Sequence, residues 1–153
     1  MPSQLLKEFL DENDIKYVSI MHSMAFTAVE VAKSAHIRSR ELAKTVIIKV
    51  DGELAMAVVP ANYKVNLNIL QQTLDTDNIE LANESEFTPR FKDCEVGAMP
   101  PFGCLYDMDV YIAESLSEDE TIAFNAGSHL EAIKMNYKDY ENLVKPRFIF
   151  LDN

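Results

Sequence analysis

Apolar residues fall at helical spacing at the start of the chain. Leu5, Leu6, Phe9 and Leu10 share one face of a predicted helix that ends near Asn13-Asp14. The period then changes to two: Ile15-Lys16-Tyr17-Val18-Ser19-Ile20 alternates apolar and polar side chains, as a half-buried strand does. The strongest strand signal is a pair of segments, residues 45–50 and 54–59, apolar at nearly every position and separated by Asp51-Gly52. Asp-Gly suits a type I′ hairpin turn, whose two central residues both need positive φ. A hairpin with so few polar positions belongs inside a sheet, covered on both faces, and Pro60 ends it.

Polar caps punctuate the rest. Thr27-Ala28-Val29-Glu30 is a capping box that predicts a helix from residue 28 to about 35. Asn66 caps a helix containing Leu67, Ile69 and Leu70, with Val65 and Leu70 placed as a hydrophobic staple. Asn83-Glu84-Ser85-Glu86 precedes a short helix stopped near Pro89. Residues 109–112, 121–124 and 132–135 read as strands, and Asn136 caps a last helix over 137–144, stopped by Pro146. Helices and strands interleave irregularly around a central hairpin. The fold class is therefore α+β with a mixed sheet, in a single domain spanning residues 1–153.

Composition narrows the function. A hydrophobic content of 48% indicates a globular domain. No apolar run is long enough to span a bilayer, and the N-terminus lacks a basic region followed by an apolar block, so a cytosolic location without membrane partners is expected. Cys94 and Cys104 have neither zinc-pair nor redox spacing and are expected to be reduced thiols, Cys104 packed in the interior. The formal charge of −11 argues against a broad electrostatic nucleic-acid surface. It leaves room for a small basic site that grips one end of a nucleic acid. His22, His36 and His129 are scattered without ligand spacing, so neither metal nor cofactor is expected. Cys94 lies between Asp93 and Glu95, which disfavour its thiolate and make it a poor nucleophile.

Glycine is scarce, with four in the chain, and its placement is informative. Gly97 and Gly103 bracket Pro100-Pro101, and Gly127 lies in Asn125-Ala126-Gly127-Ser128-His129. Each stretch is either a surface turn or a loop where backbone approaches a ligand. Lys44 opens the first hairpin strand. It is either a solvated cap on the strand or a cation held at the mouth of a site.

Taken in order, four segments resemble the YbaK/prolyl-tRNA synthetase-associated editing-domain family. They are Leu42-Ala43-Lys44-Thr45-Val46-Ile47-Ile48-Lys49, Ala55-Met56-Ala57-Val58-Val59-Pro60-Ala61, Asp93-Cys94-Glu95-Val96-Gly97-Ala98-Met99-Pro100-Pro101-Phe102-Gly103, and Phe124-Asn125-Ala126-Gly127-Ser128-His129-Leu130-Glu131-Ala132-Ile133. His22 followed by Thr27-Ala28-Val29-Glu30 matches the family's His…Thr-x-x-Glu entry segment. The resemblance covers nearly the whole chain and implies a mixed, largely antiparallel, barrel-like sheet flanked by helices. It implies hydrolysis of mischarged aminoacyl-tRNA at the ester to the terminal adenosine, with a tRNA acceptor end and a synthetase as partners. Lys44, Gly97, Gly127 and His129 are then catalytic, Lys44 holding the substrate's 3′ end through phosphate. His22, Thr27, Thr45, Ala98, Pro100, Pro101, Phe102, Gly103, Asn125 and Ser128 bind substrate. Backbone groups and the substrate's own hydroxyl position the water, with no metal or covalent nucleophile. The Pro-Pro-Phe-Gly and Asn-Ala-Gly-Ser-His variants differ from the synthetase-inserted domains and leave the amino acid unassigned. The alternative is a non-catalytic module that binds an aminoacyl-adenosine-like ligand or regulates a synthetase.

Overall fold

A computed structural model describes residues 4–21 and 41–150 of the chain. His22, Thr27, His36 and the helix predicted at 28–35 lie outside the described residues.

The described elements are α1 (Gln4–Glu12), β1 (Tyr17–Met21), β2 (Leu42–Val50), β3 (Glu53–Pro60), α2 (Leu67–Leu74), β4 (Ile79–Leu81), the single turn α3 (Glu84–Phe87), β5 (Asp109–Ala113), β6 (Thr121–Ser128), β7 (Glu131–Asn136), α4 (Tyr137–Val144) and β8 (Arg147–Ile149). The strands form one curled, half-barrel mixed sheet in the order β1-β7-β6-β2-β3-β5-β8, with β4 also pairing β2. Pairings β1·β7, β2·β3, β2·β4 and β6·β7 are antiparallel; β2·β6, β3·β5 and β5·β8 are parallel. The hairpin β2–β3 is central, in register from Ala43↔Pro60 to Val50↔Glu53. Its turn residues Asp51 (φ 51) and Gly52 (φ 86) both have the positive φ that a type I′ turn requires.

Side-chain alternation divides two apolar layers across the sheet. Ala43, Ile47, Met56, Val58, Val110 and Ile112 join the main core with Leu6 and Leu10 of α1 and Tyr137 and Tyr140 of α4. Ile48, Ala55, Ala57 and Tyr111 point the other way, toward Leu70 of α2 and Ile149 of β8. Two faces each buried under helices explain why the hairpin reads as an unbroken apolar run. The helix caps follow the sequence: Asn66 accepts from the amides of Asn68 and Ile69 at 2.9 and 3.3 Å, and Asn136 from that of Lys138 at 2.9 Å. The Glu86 carboxylate reaches back to the Asn83 amide at 2.9 Å.

Three features depart from the sequence reading. β4 and β8, three residues each, were not predicted. β6 continues past Phe124 to Ser128, so Asn125-Ala126-Gly127-Ser128 is an irregular strand rather than a loop. Cys104 is exposed at a 3₁₀ turn, Gly103–Leu105, not packed.

Candidate functional site

The sheet splits at Lys44. One edge of β2 pairs with β3 along the hairpin; on the other, β6 pairs only at Leu42↔Ala123 and Ala43↔Phe124, and β4 only at Ile48, Lys49 and Val50. Among the described residues, 44–46 have no strand partner on that edge. Lys44 and Asn125 are the first residues past the parting, so they stand side by side where β2 and β6 diverge. Thr45 Oγ1 and Asn125 Oδ1 are both buried here without a hydrogen-bond partner among the described residues. Leaving such an atom unpaired costs about 1–3 kcal/mol, which a bound ligand relieves. The Lys44 ammonium is half-buried, and its pKa is lowered, first by burial and then by the charge of Lys64.

Beyond Asn125, β6 bulges and is tied to the first glycine loop. The register of the β6–β7 hairpin shifts between Asn125 and Ser128, around Gly127 at φ 91. The Glu95 amide donates to the Gly127 carbonyl at 2.8 Å, and the Gly127 amide donates to the Ala98 carbonyl at 2.8 Å. His129, 4% exposed, bonds the Val96 carbonyl through Nε2 at 2.8 Å. A carbonyl oxygen only accepts, so Nε2 carries the hydrogen. Glu95 places a carboxylate oxygen 3.9 Å from the same nitrogen. Gly97, at φ 85, turns beneath the imidazole, and a Cβ there would lie 3.4 Å from His129 Cε1. The structure thus brings Gly97, Ala98, Gly127 and His129 into one hydrogen-bonded unit, with Asn125 and Lys44 two residues back along β6 and its neighbour.

The rest of the loop is fixed from the core side. Pro100 and Pro101 are buried, and the Tyr140 hydroxyl donates to the Pro101 carbonyl at 2.7 Å. The Phe102 ring is fully buried, 5.3 Å from both Phe124 and Tyr140. Gly103 is pressed against backbone, with no room for a Cβ beside the Met108 carbonyl. Ser128 Oγ accepts from the Leu130 amide at 2.9 Å and closes the turn between β6 and β7. Other described surface clefts, such as those lined by Asn68, Gln71 and Asp75 or by Gly52, Arg90 and Asp107, share no residue with this unit.

Cys94 sits against the Tyr106 hydroxyl at 3.4 Å, and burial pushes its thiol up to about 12, opposed by that hydrogen bond and reinforced by Asp93. At neutral pH it holds its proton and is no nucleophile. Cys94→Ser is therefore expected to leave any hydrolysis within about twofold of wild type, checked by single-turnover kinetics; a loss of a hundredfold would restore the thiol as a candidate. Among the described residues, no group of three or more His, Cys, Asp or Glu is placed to hold a metal ion.

Glu95 and Tyr140 were not singled out by the sequence, although they hold the loop. Their only signal was position: Glu95 two residues before a rare glycine, and Tyr140 on the buried face of the last helix.

The aminoacyl-tRNA editing domain family matches residues 22–143, most of the chain. The proline–tRNA ligase of Staphylococcus aureus strain Newman is 36% identical over 95 residues, 61% of this chain but 16% of the ligase. The chain thus spans about a sixth of the curated relatives it matches. A crystal structure of a candidate trans-editing enzyme for prolyl tRNA synthetase superposes with a TM-score of 0.83 at 15% identity, covering 99% of this chain and 97% of that one. The hypothetical protein APE2540 does so with a TM-score of 0.83 at 16% identity, covering 95% and 97%. These structures share the fold, and no helix among the described residues is long and apolar enough to cross a membrane. With the family matched across both glycine stretches and Lys44, the chain belongs to the aminoacyl-tRNA editing domain family.

Proposed function

We propose that the protein is a trans-acting aminoacyl-tRNA deacylase, its residues 1–153 forming a single editing domain. The observation that carries this reading is the split in the sheet, where a half-buried lysine stands beside a glycine loop held by a lattice of hydrogen bonds. Lys44 grips a phosphate of the 3′ end and so places the ester at the parting of β2 and β6. Thr45 Oγ1 and Asn125 Oδ1 take polar groups of the terminal aminoacyl-adenosine. Ala98, Pro100, Pro101, Phe102, Gly103 and Ser128 shape the pocket.

Water adds to the ester carbonyl carbon, and the carbonyl oxygen becomes an oxyanion. The bond to the ribose oxygen then breaks, and that oxygen leaves with the proton the water gives up. The amides of Glu95, Ala98 and Gly127 are committed within the lattice, whereas the Gly97 amide is not among them and is available to the oxyanion. His129 keeps that amide aimed by pinning Val96. An ester is already activated, so positioning and oriented donors suffice and no metal is needed. The net charge of −11 supports a synthetase as partner, one that supplies part of the tRNA affinity. The test is hydrolysis of a panel of mischarged tRNAs with and without chelator. Turnover of at least one, unaffected by chelation, is expected. Inactivity across the panel favours a binding module, and loss on chelation favours a metal.

A further inference from the structure

Asn125 shares a sheet face with Lys44, and strand alternation fixes which face. On β6, Phe124 and Ala126 join the main core, so Asn125 between them points to the opposite side. On β2, Ala43 and Ile47 join the same core, whereas Val46 and Ile48, in phase with Lys44, pack in the second layer. Leu42 is level with Ala123 and Ala43 with Phe124, so Lys44 and Asn125 fall next to each other on that second face. The neighbours of Asn125 there are Ala132, its partner on β7, and Ala123, both 0% exposed. Their methyl groups offer it no polar atom. Its Oδ1 is buried without a partner, and its amide nitrogen bonds none of the described residues. Two residues on, the Gly127 amide holds the Ala98 carbonyl at 2.8 Å, which keeps Asn125 beside the loop assigned to the ester.

A carboxamide carries an acceptor and a donor side by side. The groups of an aminoacyl-adenosine end differ in how well they match that pair. The α-ammonium only donates, so it would leave the amide nitrogen idle, and it would add a second cation beside Lys44. A ribose hydroxyl is one atom and meets one member of the pair. Adenine presents an exocyclic N–H next to a ring-nitrogen acceptor, both neutral, and an Asn carboxamide matches that edge bidentately. We propose that Asn125 reads the terminal adenine of a nucleic-acid 3′ end, Oδ1 accepting from the exocyclic amine and Nδ2 donating to the adjacent ring nitrogen. The proposal rests on the deacylase reading above and extends it from the ester to the base. A base contact supplies specificity where a net charge of −11 denies a broad grip on phosphates.

The experiment is binding of an uncharged acceptor-stem minihelix whose single-stranded 3′ tail ends either in adenosine or in purine riboside, which lacks only the exocyclic amine. Wild type, Asn125→Leu and Asn125→Ala are compared, with thermal melts alongside. Wild type is expected to bind the adenosine tail roughly five- to tenfold more tightly than the purine riboside tail. Each variant should bind the two tails within about twofold of each other, because the acceptor for the amine is gone. Taking the ratio of tails within one protein cancels any general weakening by the substitution. Asn125→Leu removes an unpaired buried acceptor and should melt no lower than wild type; Asn125→Ala is the smaller change should leucine not fit. Equal binding of the two tails by wild type, or a preference that survives in both variants, overturns the adenine reading. A wild type that binds neither tail overturns it too. If instead N-acetylation of the aminoacyl ester weakens binding by wild type but by neither variant, Asn125 belongs to the α-ammonium and the adenine reading falls. Hydrolysis of mischarged tRNA by the same wild-type protein separates the two readings. Turnover without the preference leaves the deacylase standing alone, and the preference without turnover leaves the adenine site standing alone.

Discussion

Lys44→Ala is expected to lower single-turnover hydrolysis of mischarged tRNA by a hundredfold or more while the protein keeps its fold. A charge-assisted contact to phosphate is worth about 1.5–3 kcal/mol. Displacement of the ester from the Gly97 loop adds to that, because misplacement by about an ångström costs on the order of a hundredfold in rate. Stability should move the other way. The pKa of Lys44 is lowered in the folded protein, by burial and by Lys64, so the unfolded chain binds that proton more tightly. Below the folded pKa both states are charged and the cost is present in full. It is relieved as pH rises through the folded pKa toward the ordinary lysine value. Lys44→Met keeps the aliphatic stem and discards the charge, so it should melt at or above the wild-type temperature at neutral pH and be as inactive as the alanine variant. Lys44→Arg should recover activity only in part, since a planar fork is no replacement for a compact ammonium in a half-buried position. Wild-type rates in Lys44→Met would move the site away from the split. A large fall in melting temperature would make Lys44 a structural residue instead.

Much of this architecture was written in local chemistry. Asp51-Gly52 between two apolar runs defined the central hairpin because few dipeptides tolerate two positive φ angles in succession. Asn66 and Asn136 marked helix starts because each carries an acceptor for amides that the helix leaves free. β4 and β8 were illegible: at three residues each, they show no period, and they exist because β2 and β5 present open edges to them. The end of β6 was misread for a different reason. Asn-Ala-Gly-Ser has the composition of a loop, yet pairing with β7 resumes at Ser128↔Glu131 after a bulge. Cys104 was expected inside because free cysteine is commonly buried, but it follows Gly103 on a tight turn that faces it outward. The site itself was only half legible. Sequence similarity placed Lys44 and the glycine stretches together, but the parting of β2 from β6 that sets Lys44 beside Asn125 is a property of the sheet, and no segment read alone contains it.

Gly103→Ala is expected to be the most destabilising single methyl in the described structure, and Gly97→Ala to be tolerated by the fold but not by the site. Among the described residues, most left-handed turns are made without glycine: Asp14, Asp51, Asp75, Asp107 and Lys145 all have positive φ. Gly52 serves its turn alone, with open space around it, whereas Gly97 and Gly103 sit where something more than a turn is needed. At Gly103 that something is space. A Cβ would lie 2.2 Å from the Met108 carbonyl oxygen and 2.6 Å from Val110 Cγ2. The carbonyl cannot retreat, because the amides of Tyr106 and Met108 both donate to the Gly103 carbonyl at 3.0 Å and lock the turn. Overpacking ordinarily costs about 1–3 kcal/mol through side-chain shifts. With backbone as the obstacle, the cost should exceed about 3 kcal/mol, a fall in melting temperature of roughly 6–12 °C for a domain of this size. Gly97 differs in kind. Its added methyl meets His129 Cε1 at 3.4 Å, an ordinary contact, and the penalty is its φ of 85. That strain is worth about 1–2 kcal/mol and is relieved by turning the loop. Turning it draws Val96 off the His129 nitrogen and swings the Gly97 amide away from the oxyanion. The protein should fold, with hydrolysis reduced tenfold or more. Paired melts and single-turnover rates of the two variants separate the roles. A stable Gly103→Ala would show that the Met108 contact gives way, and a fully active Gly97→Ala would remove the loop amide from the chemistry.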